Sequence, residues 1–218
     1  MSRENLHTNN FSETGCPSVE MDKEKRYNKS THRERIDLLD SAIITWITEN
    51  LRHPLLNPVM IAITYLGEMG LFWIGIALIL CITRRYRSSG ILMLLSLAVG
   101  CIVGEGLLKH LFARVRPVDA LNIPLLIKHP GGFSFPSGHS CSSFAAAVSL
   151  WYANRKWRFG AFALAFLIAF SRLYHGVHYL TDVLCGAALG VAVALLIHKY
   201  LKKYVEQFLA RFPDNRPQ

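Results

Sequence analysis

Charge is what this sequence has little of. Only 18% of its 218 residues are charged and 51% are hydrophobic, whereas a soluble chain of this size carries about 25% charged residues. That shortage argues against a soluble globular protein and for a chain that spends much of its length in lipid. Acid is the scarcer sign, with 15 Asp and Glu against 24 Lys and Arg and a net charge of +9. Such a balance suits nucleic acid or an anionic membrane surface. The basic residues sit in short clusters between apolar runs, and no nucleic-acid reader motif accompanies them, so no nucleic-acid partner is expected. Cysteine is sparse as well. Cys81, Cys101, Cys141 and Cys185 fall inside apolar runs and Cys16 in the polar N-terminal region. No CxxC pair or Cys/His cluster has metal-ligand spacing, so the cysteines read as small hydrophobes in packed helices. No carboxylate cluster suited to a hard cation is visible either. The first 35 residues hold no apolar run, hence no expected signal peptide. Neither an internal repeat nor a low-complexity tract appears.

What is present is a series of apolar runs. Residues 1–35 are polar, mixed in charge and without periodicity, and read as a flexible cytoplasmic tail. A membrane domain is expected over 36–204, followed by a short cytoplasmic tail over 205–218. Ile36 to Leu51 is helical in pattern but short, and interrupted by Asp40 and Glu49. It reads as either an interfacial helix or a short first span. Five stronger runs follow: Pro58–Thr83, Gly90–Leu111, Gly138–Ala153, Phe159–Leu173 and Tyr179–Leu201. A span needs roughly 20 apolar residues, so the shorter runs must recruit polar neighbours at their ends. Those neighbours are tolerable where they line a site rather than face lipid. The expected fold is therefore all-α, a polytopic bundle of five or six spans. Small residues four apart, Gly100/Gly104 and Gly186/Gly190, allow membrane helices to approach closely.

Basic residues between the runs set an orientation. Arg84, Arg85, Arg87, Arg155, Lys156, Arg158, Lys199, Lys202 and Lys203 lie on one side, and Arg52, Arg114 and Lys128 on the other. Nine against three places the first side in the cytoplasm. Residues 112–137 and 172–178 then face outward.

Three polar groups gather on that outward face. Lys109 and Arg116, seven apart, lie nearly on one helical face, so both can converge on one anion. Taken alone they also suit snorkelling at a span end. In Pro136-Ser137-Gly138-His139, Ser137 can cap a helix and Gly138 permits close backbone approach. Exposed amides at that helix start favour an anion, with His139 beside it. In Ser171-Arg172-x5-His178-x3-Asp182, the last two residues are four apart and meet on one helical face. A carboxylate on one imidazole nitrogen fixes the tautomer and leaves the other free to attack. Three cations, two histidines and one carboxylate suit a tetrahedral phosphoryl group. Glu105, four residues before Lys109, is placed to pair with it; Glu68, in the Gly-flanked LGEMG stretch, sits at a helix end or break near the pocket. Both are carboxylates within apolar runs, which marks them as functional candidates. His175 fits no motif position and reads as a loop residue.

These three groups, KHLFARVRP, PSGH and SRLYHGVHYLTD in this order, resemble the type 2 phosphatidic acid phosphatase family, marked by K-x6-RP, PSGH and SR-x5-H-x3-D. The likeness runs from about Glu68 to Lys199 and leaves residues 1–35 outside. It implies the helical core shared with vanadium haloperoxidases and a metal-independent phosphatase with no cofactor. It further implies His178 as nucleophile, Asp182 as its orienter and His139 as the acid for the leaving group. Lys109, Arg116, Ser137, Gly138 and Arg172 would bind the phosphate oxygens. Leu180 stands where many relatives have proline.

The resemblance implies a membrane lipid phosphate as substrate, with undecaprenyl diphosphate first because the site faces outward and the chain is small. Phosphatidylglycerophosphate or phosphatidic acid is the alternative. A soluble acid phosphatase or haloperoxidase is opposed by the five apolar runs. A non-enzymatic lipid-phosphate binder or transporter is opposed by the presence of His139, His178 and Asp182 together. Oligomeric state is not legible.

Overall fold

A computed structural model of the chain describes residues 17–211, with side chains from residue 34 onward. It divides into two units, residues 1–39 and 40–218, and all the candidate site residues lie in the second. No strand occurs among the described residues; the fold is all-helical. Helix α1 runs Pro17–Asn50. It includes residues 17–35, read from sequence as an aperiodic flexible tail. Pro17 is suited to a helix start, and the Glu, Lys and Arg that follow have good intrinsic helix propensity, which does not require an apolar stripe. The rest of that expected tail, 1–16, lies outside the described residues.

Helices α2 (Asn57–Leu66) and α3 (Leu71–Ile82) occupy the run read as one segment. They are bent by 42° at a short 3₁₀ turn, Glu68–Gly70. Met69 (φ 49°) and Gly70 (φ 68°) adopt left-handed backbone there, so the α-helical ladder cannot continue. Helix α4 (Arg87–Cys101) passes into a π-helical stretch, Ile102–Leu108, and then the single turn α5 (Lys109–Phe112). Ala113 at φ 43° ends it, and the turn α6 (Pro117–Ala120) follows. After an extended loop come α7 (Gly138–Ala153), α8 (Arg158–Tyr174) and α9 (Leu180–Ala210).

Three helical segments are long and apolar enough to cross a bilayer, Arg84–Ala120, Arg155–Tyr174 and Leu180–Ala210, and the bent pair α2–α3 adds a fourth when counted as one span. At 31 residues, α9 is about 46 Å long and outreaches a hydrocarbon core of about 30 Å. Its last turns contain residues 205–210 of the expected tail; residues 212–218 lie outside the described residues.

Helix α7 is the hub. Ten of its sixteen residues are buried, and it packs on α4, α8 and α9. That explains its small, uniformly mild composition: Ser140, Ser143 and Ser149 are fully buried, their hydroxyls bonded to the Ser137 hydroxyl, the Trp73 indole and the Ala145 carbonyl respectively. Trp73 donates its indole N–H to Ser143 Oγ at 3.0 Å, fixing α3 to the hub. The α7–α9 approach depends on glycine. A Cβ at Gly186 would stand 2.4 Å from the Ser137 carbonyl oxygen, and one at Gly190 would stand 2.2 Å from that of Cys141. Gly100 and Gly104 approach less closely, with 3.1 Å and 3.5 Å to the nearest side-chain atoms. Of the cysteines, Cys141 is buried in the hub, Cys81 is half-buried, and Cys101 and Cys185 are exposed on the outer faces of their helices.

Candidate active site

One end of the bundle gathers the residues singled out by spacing. Lys109 stands on α5, and its Nζ donates to Glu105 Oε2 at 2.6 Å, the pairing expected from their i,i+4 relation. Glu105 in turn lies over the start of α7. A Cβ on Gly138 would be 2.2 Å from Glu105 Oε1, so glycine there makes room for the carboxylate.

Arg116 arrives by a different route from the one its spacing implies. The helix bearing Lys109 stops at Phe112, and Arg116 is extended (φ −74°, ψ 152°). The reason is local: Pro117 disfavours α conformation at the residue before it, and its fixed φ opens the next turn. The shared helical face between Lys109 and Arg116 therefore does not form. Arg116 is instead buried and held by carbonyls, with Nε donating to Gly132 O, Nη2 to Gly131 O and Nη1 to Val177 O, each at 3.0 Å. Its Nη1 also lies 3.3 Å from His178 Nε2.

His178 precedes α9, in the short turn after α8, and is 2% exposed. Its Nδ1 is 3.7 Å from Asp182 Oδ2 and 3.5 Å from Ser134 Oγ. A guanidinium only donates, so its approach to Nε2 favours the tautomer with the proton on Nδ1, facing the carboxylate side. Burial pushes the His178 imidazole down to about 3, with Asp182 opposing and the Arg116 and Arg172 cations adding to the fall. A lowered histidine pKa means that the free base prevails above that pH, so at neutral pH Nε2 keeps its lone pair. Asp182 meets His178 from the first turn of α9, across the N-terminal boundary of the helix rather than along one face. Its Oδ2 accepts from the Tyr179 N–H at 2.8 Å, capping the helix, and from Ser134 Oγ at 2.5 Å.

His139 is the second residue of α7. Ser137 caps the helix, its Oγ accepting from the Ser140 N–H at 3.4 Å, while its own N–H donates to the Asp182 carbonyl at 3.0 Å and ties α7 to α9. Gly67 gives His139 its space: a Cβ there would lie 2.5 Å from the imidazole Cδ2. Glu68 Oε2 is 3.7 Å from His139 Nε2, an electrostatic contact beyond hydrogen-bond length. Arg172, His178, Lys109 and Arg116 all lie close enough to act electrostatically on His139. Arg172, 3% exposed on α8, donates from Nη1 to Thr64 Oγ1 of α2 at 2.6 Å. His175 is fully buried in the turn after α8, edge-on to Tyr174. Burial lowers its imidazole to about 4, against the Met60 backbone.

Three further residues join this cluster and escaped sequence reasoning as site residues. Arg114 bonds both Asp182 and Asp40, and Ser134 bonds Asp182. Asp40 did carry a signal, since a carboxylate interrupting an apolar run is costly unless paired. Arg114 was visible only as a loop charge, and Ser134 carried no signal. Among the described residues, no group of three or more His, Cys, Asp and Glu is arranged to hold a metal ion. The arrangement offers an unprotonated imidazole nitrogen bordered by cations, a carboxylate behind it and a second imidazole nearby. That is a set suited to transferring a phosphoryl group.

Similarity to known proteins agrees with this chemistry. Residues 89–206 match the PAP2 superfamily. The chain is 32% identical over 129 residues to an undecaprenyl-diphosphatase of Sulfolobus acidocaldarius, covering 58% of this chain and 62% of that relative. It thus spans less than two thirds of that relative's length. It is 34% identical over 145 residues to phosphatidylglycerophosphatase B of Bacillus subtilis, covering 61% of this chain and 68% of the relative. The crystal structure of a transmembrane PAP2-type phosphatidylglycerolphosphate phosphatase from Bacillus subtilis superposes with a TM-score of 0.65 at 30% identity. That match covers 86% of this chain and 92% of the other. More than half the chain falls within the family match, and the chain belongs to the PAP2 superfamily.

Proposed function

We propose that this protein is an integral-membrane phosphatase that hydrolyses a lipid phosphate or diphosphate through a phosphohistidine. Membership of the superfamily and relatives named as phosphatases support a phosphoric ester hydrolase; the long apolar helices support a membrane setting. The observation that carries the mechanism is the placement of His178, with Arg116 Nη1 at 3.3 Å from Nε2 and Asp182 Oδ2 at 3.7 Å from Nδ1.

In the first step His178 Nε2 attacks phosphorus and an N–P bond forms while the bond from phosphorus to the leaving oxygen breaks. His139, which takes up a proton once the anionic phosphate of the substrate offsets the neighbouring cations, gives that oxygen its proton. The imidazole gains positive charge, which Asp182 stabilises from the Nδ1 side. Water then attacks the phosphohistidine with His139 accepting its proton, the N–P bond breaks, and inorganic phosphate leaves. Lys109, Arg116, Arg172, the Ser137 hydroxyl and the Gly138 amide hold the phosphoryl oxygens as charge develops.

Undecaprenyl diphosphate is the first substrate, supported by the Sulfolobus acidocaldarius relative and by the outward orientation expected from the basic loops. Phosphatidylglycerophosphate is the second reading, favoured by the Bacillus subtilis relative and the superposed structure. Phosphate release from purified lipid phosphates in detergent decides between them. A higher kcat/KM on undecaprenyl diphosphate than on phosphatidylglycerophosphate or phosphatidic acid is expected. The opposite order removes the carrier-lipid assignment and leaves the reaction class standing; no release from any lipid removes both.

A further inference from the structure

One heavily bonded side chain near the nucleophile belongs to no motif. Arg114 sits between two buried carboxylates drawn from opposite ends of the sequence. Its Nη1 donates to Asp182 Oδ1 at 2.7 Å and to Thr181 Oγ1 at 2.7 Å, and its Nη2 donates to Asp40 Oδ2 at 2.9 Å. The guanidinium lies over the Tyr179 ring, 4.0 Å from its centroid. Asp40 is 3% exposed on α1 and also accepts from the Thr181 N–H at 3.2 Å and from the Thr181 hydroxyl. The Arg114 backbone takes part as well. Its carbonyl accepts the Ser134 N–H at 2.8 Å, and the Ser134 hydroxyl donates to Asp182 Oδ2 at 2.5 Å.

Both oxygens of Asp182 are therefore set through Arg114, one directly and one through Ser134. We propose that Arg114 is the positioning residue for the Asp182–His178 pair, and that Asp40, gripping its far side, keeps Arg114 from neutralising Asp182. The inference rests on the phosphatase reading above.

The reasoning is geometric and electrostatic. His178 Nδ1 stands 3.7 Å from Asp182 Oδ2 and 3.5 Å from Ser134 Oγ. A sideways shift of the carboxylate by a fraction of an ångström decides whether it faces the imidazole, and a positioned group must be held to about that precision. A carboxylate on the first turn of α9 has rotamer freedom of its own. The two bonds to Oδ2 and the one to Oδ1 remove it. Charge is the second part. One guanidinium shared by two carboxylates leaves the trio with a net negative charge beside the imidazole, which becomes cationic on phosphorylation. With Asp40 uncharged, Arg114 would pair with Asp182 alone and cancel the charge that stabilises that cation. A buried ion pair with one member removed leaves an uncompensated charge, so the trio is expected to respond as a unit.

The test uses the full chain in detergent, a lipid phosphate turned over by the wild type, and kcat, KM and thermal midpoint for each variant. Arg114→Gln should lower kcat roughly 10- to 100-fold, the scale for removing the partner that orients an active group, with KM within about twofold. Arg114→Lys, which keeps the charge but not the two-pronged geometry, should recover part of the loss. Asp40→Asn should lower kcat by a smaller factor without changing KM. In the Asp182→Asn background, Arg114→Gln should have little further effect, because it acts through that carboxylate. Wild-type kcat in Arg114→Gln overturns the proposal, and so does an equal proportional loss in both backgrounds. Should Arg114→Gln fail to fold, Asp40→Asn and Arg114→Lys decide, and wild-type kcat in Asp40→Asn overturns it. A wild type inactive on every lipid phosphate strikes the phosphatase reading itself and this inference with it, whereas an Asp182→Asn variant of full activity leaves that reading standing and overturns the role of Asp182 and this inference.

Discussion

His178 sits where two opposing demands on an imidazole meet. Burial and the neighbouring cations keep it unprotonated, while Asp182 and Ser134 stand ready to share the charge once it bonds to phosphorus. His178→Ala should abolish an acid-labile, base-stable phosphoryl adduct and lower turnover roughly 10⁴-fold or more, because members of a catalytic unit do not substitute for each other. Asp182→Asn should fold yet turn over slowly, having lost the tautomer's partner. His139→Ala should be severe for an alkoxide leaving group and mild for p-nitrophenolate, which needs little protonation to depart. Rapid quenching followed by adduct mapping checks all three; an adduct on His175, or one persisting in His178→Ala, contradicts the roles. At this scale the sequence spoke clearly for residues held in fixed local spacing. The pairing of Glu105 with Lys109 and the capping by Ser137 are one-turn relations readable from residue order. The bonds that tie Arg114 to Asp40 and to Asp182, and Ser134 to Asp182, were hidden because those partners are 48 to 74 residues apart, where no spacing rule reaches.

Elements carry the site by approaching closely. Helices α7 and α9 bring Ser137 against Asp182 because Gly186 and Gly190 present no side chain to the backbone of α7. Gly190→Val would drive its Cβ within 2.2 Å of the Cys141 carbonyl, with the Ala145 nitrogen 3.0 Å away. Backbone cannot yield as a flexible side chain does, so a loss of about 1–3 kcal/mol or more is expected. Activity should fall with it as the two site-bearing helices part. Gly75→Ala on α3, where nothing lies within 4 Å of the added carbon, should be neutral or slightly stabilising. Thermal midpoints of the purified variants separate the two cases, and equal midpoints would show that the helices do not need the glycines. Apolar runs made the helices legible, and the small-residue pairs hinted at their packing. The turns inside them were less so. The bend after Leu66 and the stop at Phe112 depend on left-handed residues, and two of these, Met69 and Ala113, are not glycine. No residue type advertises them. For the same reason the shared helical face drawn between Lys109 and Arg116 gave way to an extended segment.

Which membrane face the site occupies is a property of the whole molecule. The basic turns Arg84–Tyr86 and Arg155–Trp157 lie at one end, joined by Tyr86 against Trp157 with centroids 5.0 Å apart and by the Asn154 amide donating to the Tyr86 hydroxyl at 3.3 Å. At the other end Arg52 donates to the carbonyls of Tyr174 (3.0 Å) and Pro124 (2.7 Å), and Arg114 is absorbed in the Asp40–Asp182 pairing. Counted over the loops, the bias toward the Arg84 and Arg155 end is nine against three. That end should be cytoplasmic and the site extracytoplasmic. In an active variant stripped of native cysteines, Lys128→Cys on the site side should react with an impermeant thiol reagent in intact cells. Lys156→Cys at the opposite end should react only after the membrane is opened. Both positions are exposed, and each substitution removes one positive charge from its own face, so the pair leaves the bias almost unchanged. The reverse labelling pattern would put His178 in the cytoplasm, where a carrier lipid awaiting dephosphorylation on the outer leaflet is out of reach. The phosphatase chemistry would survive that result, and the substrate would have to be sought among lipids of the inner leaflet.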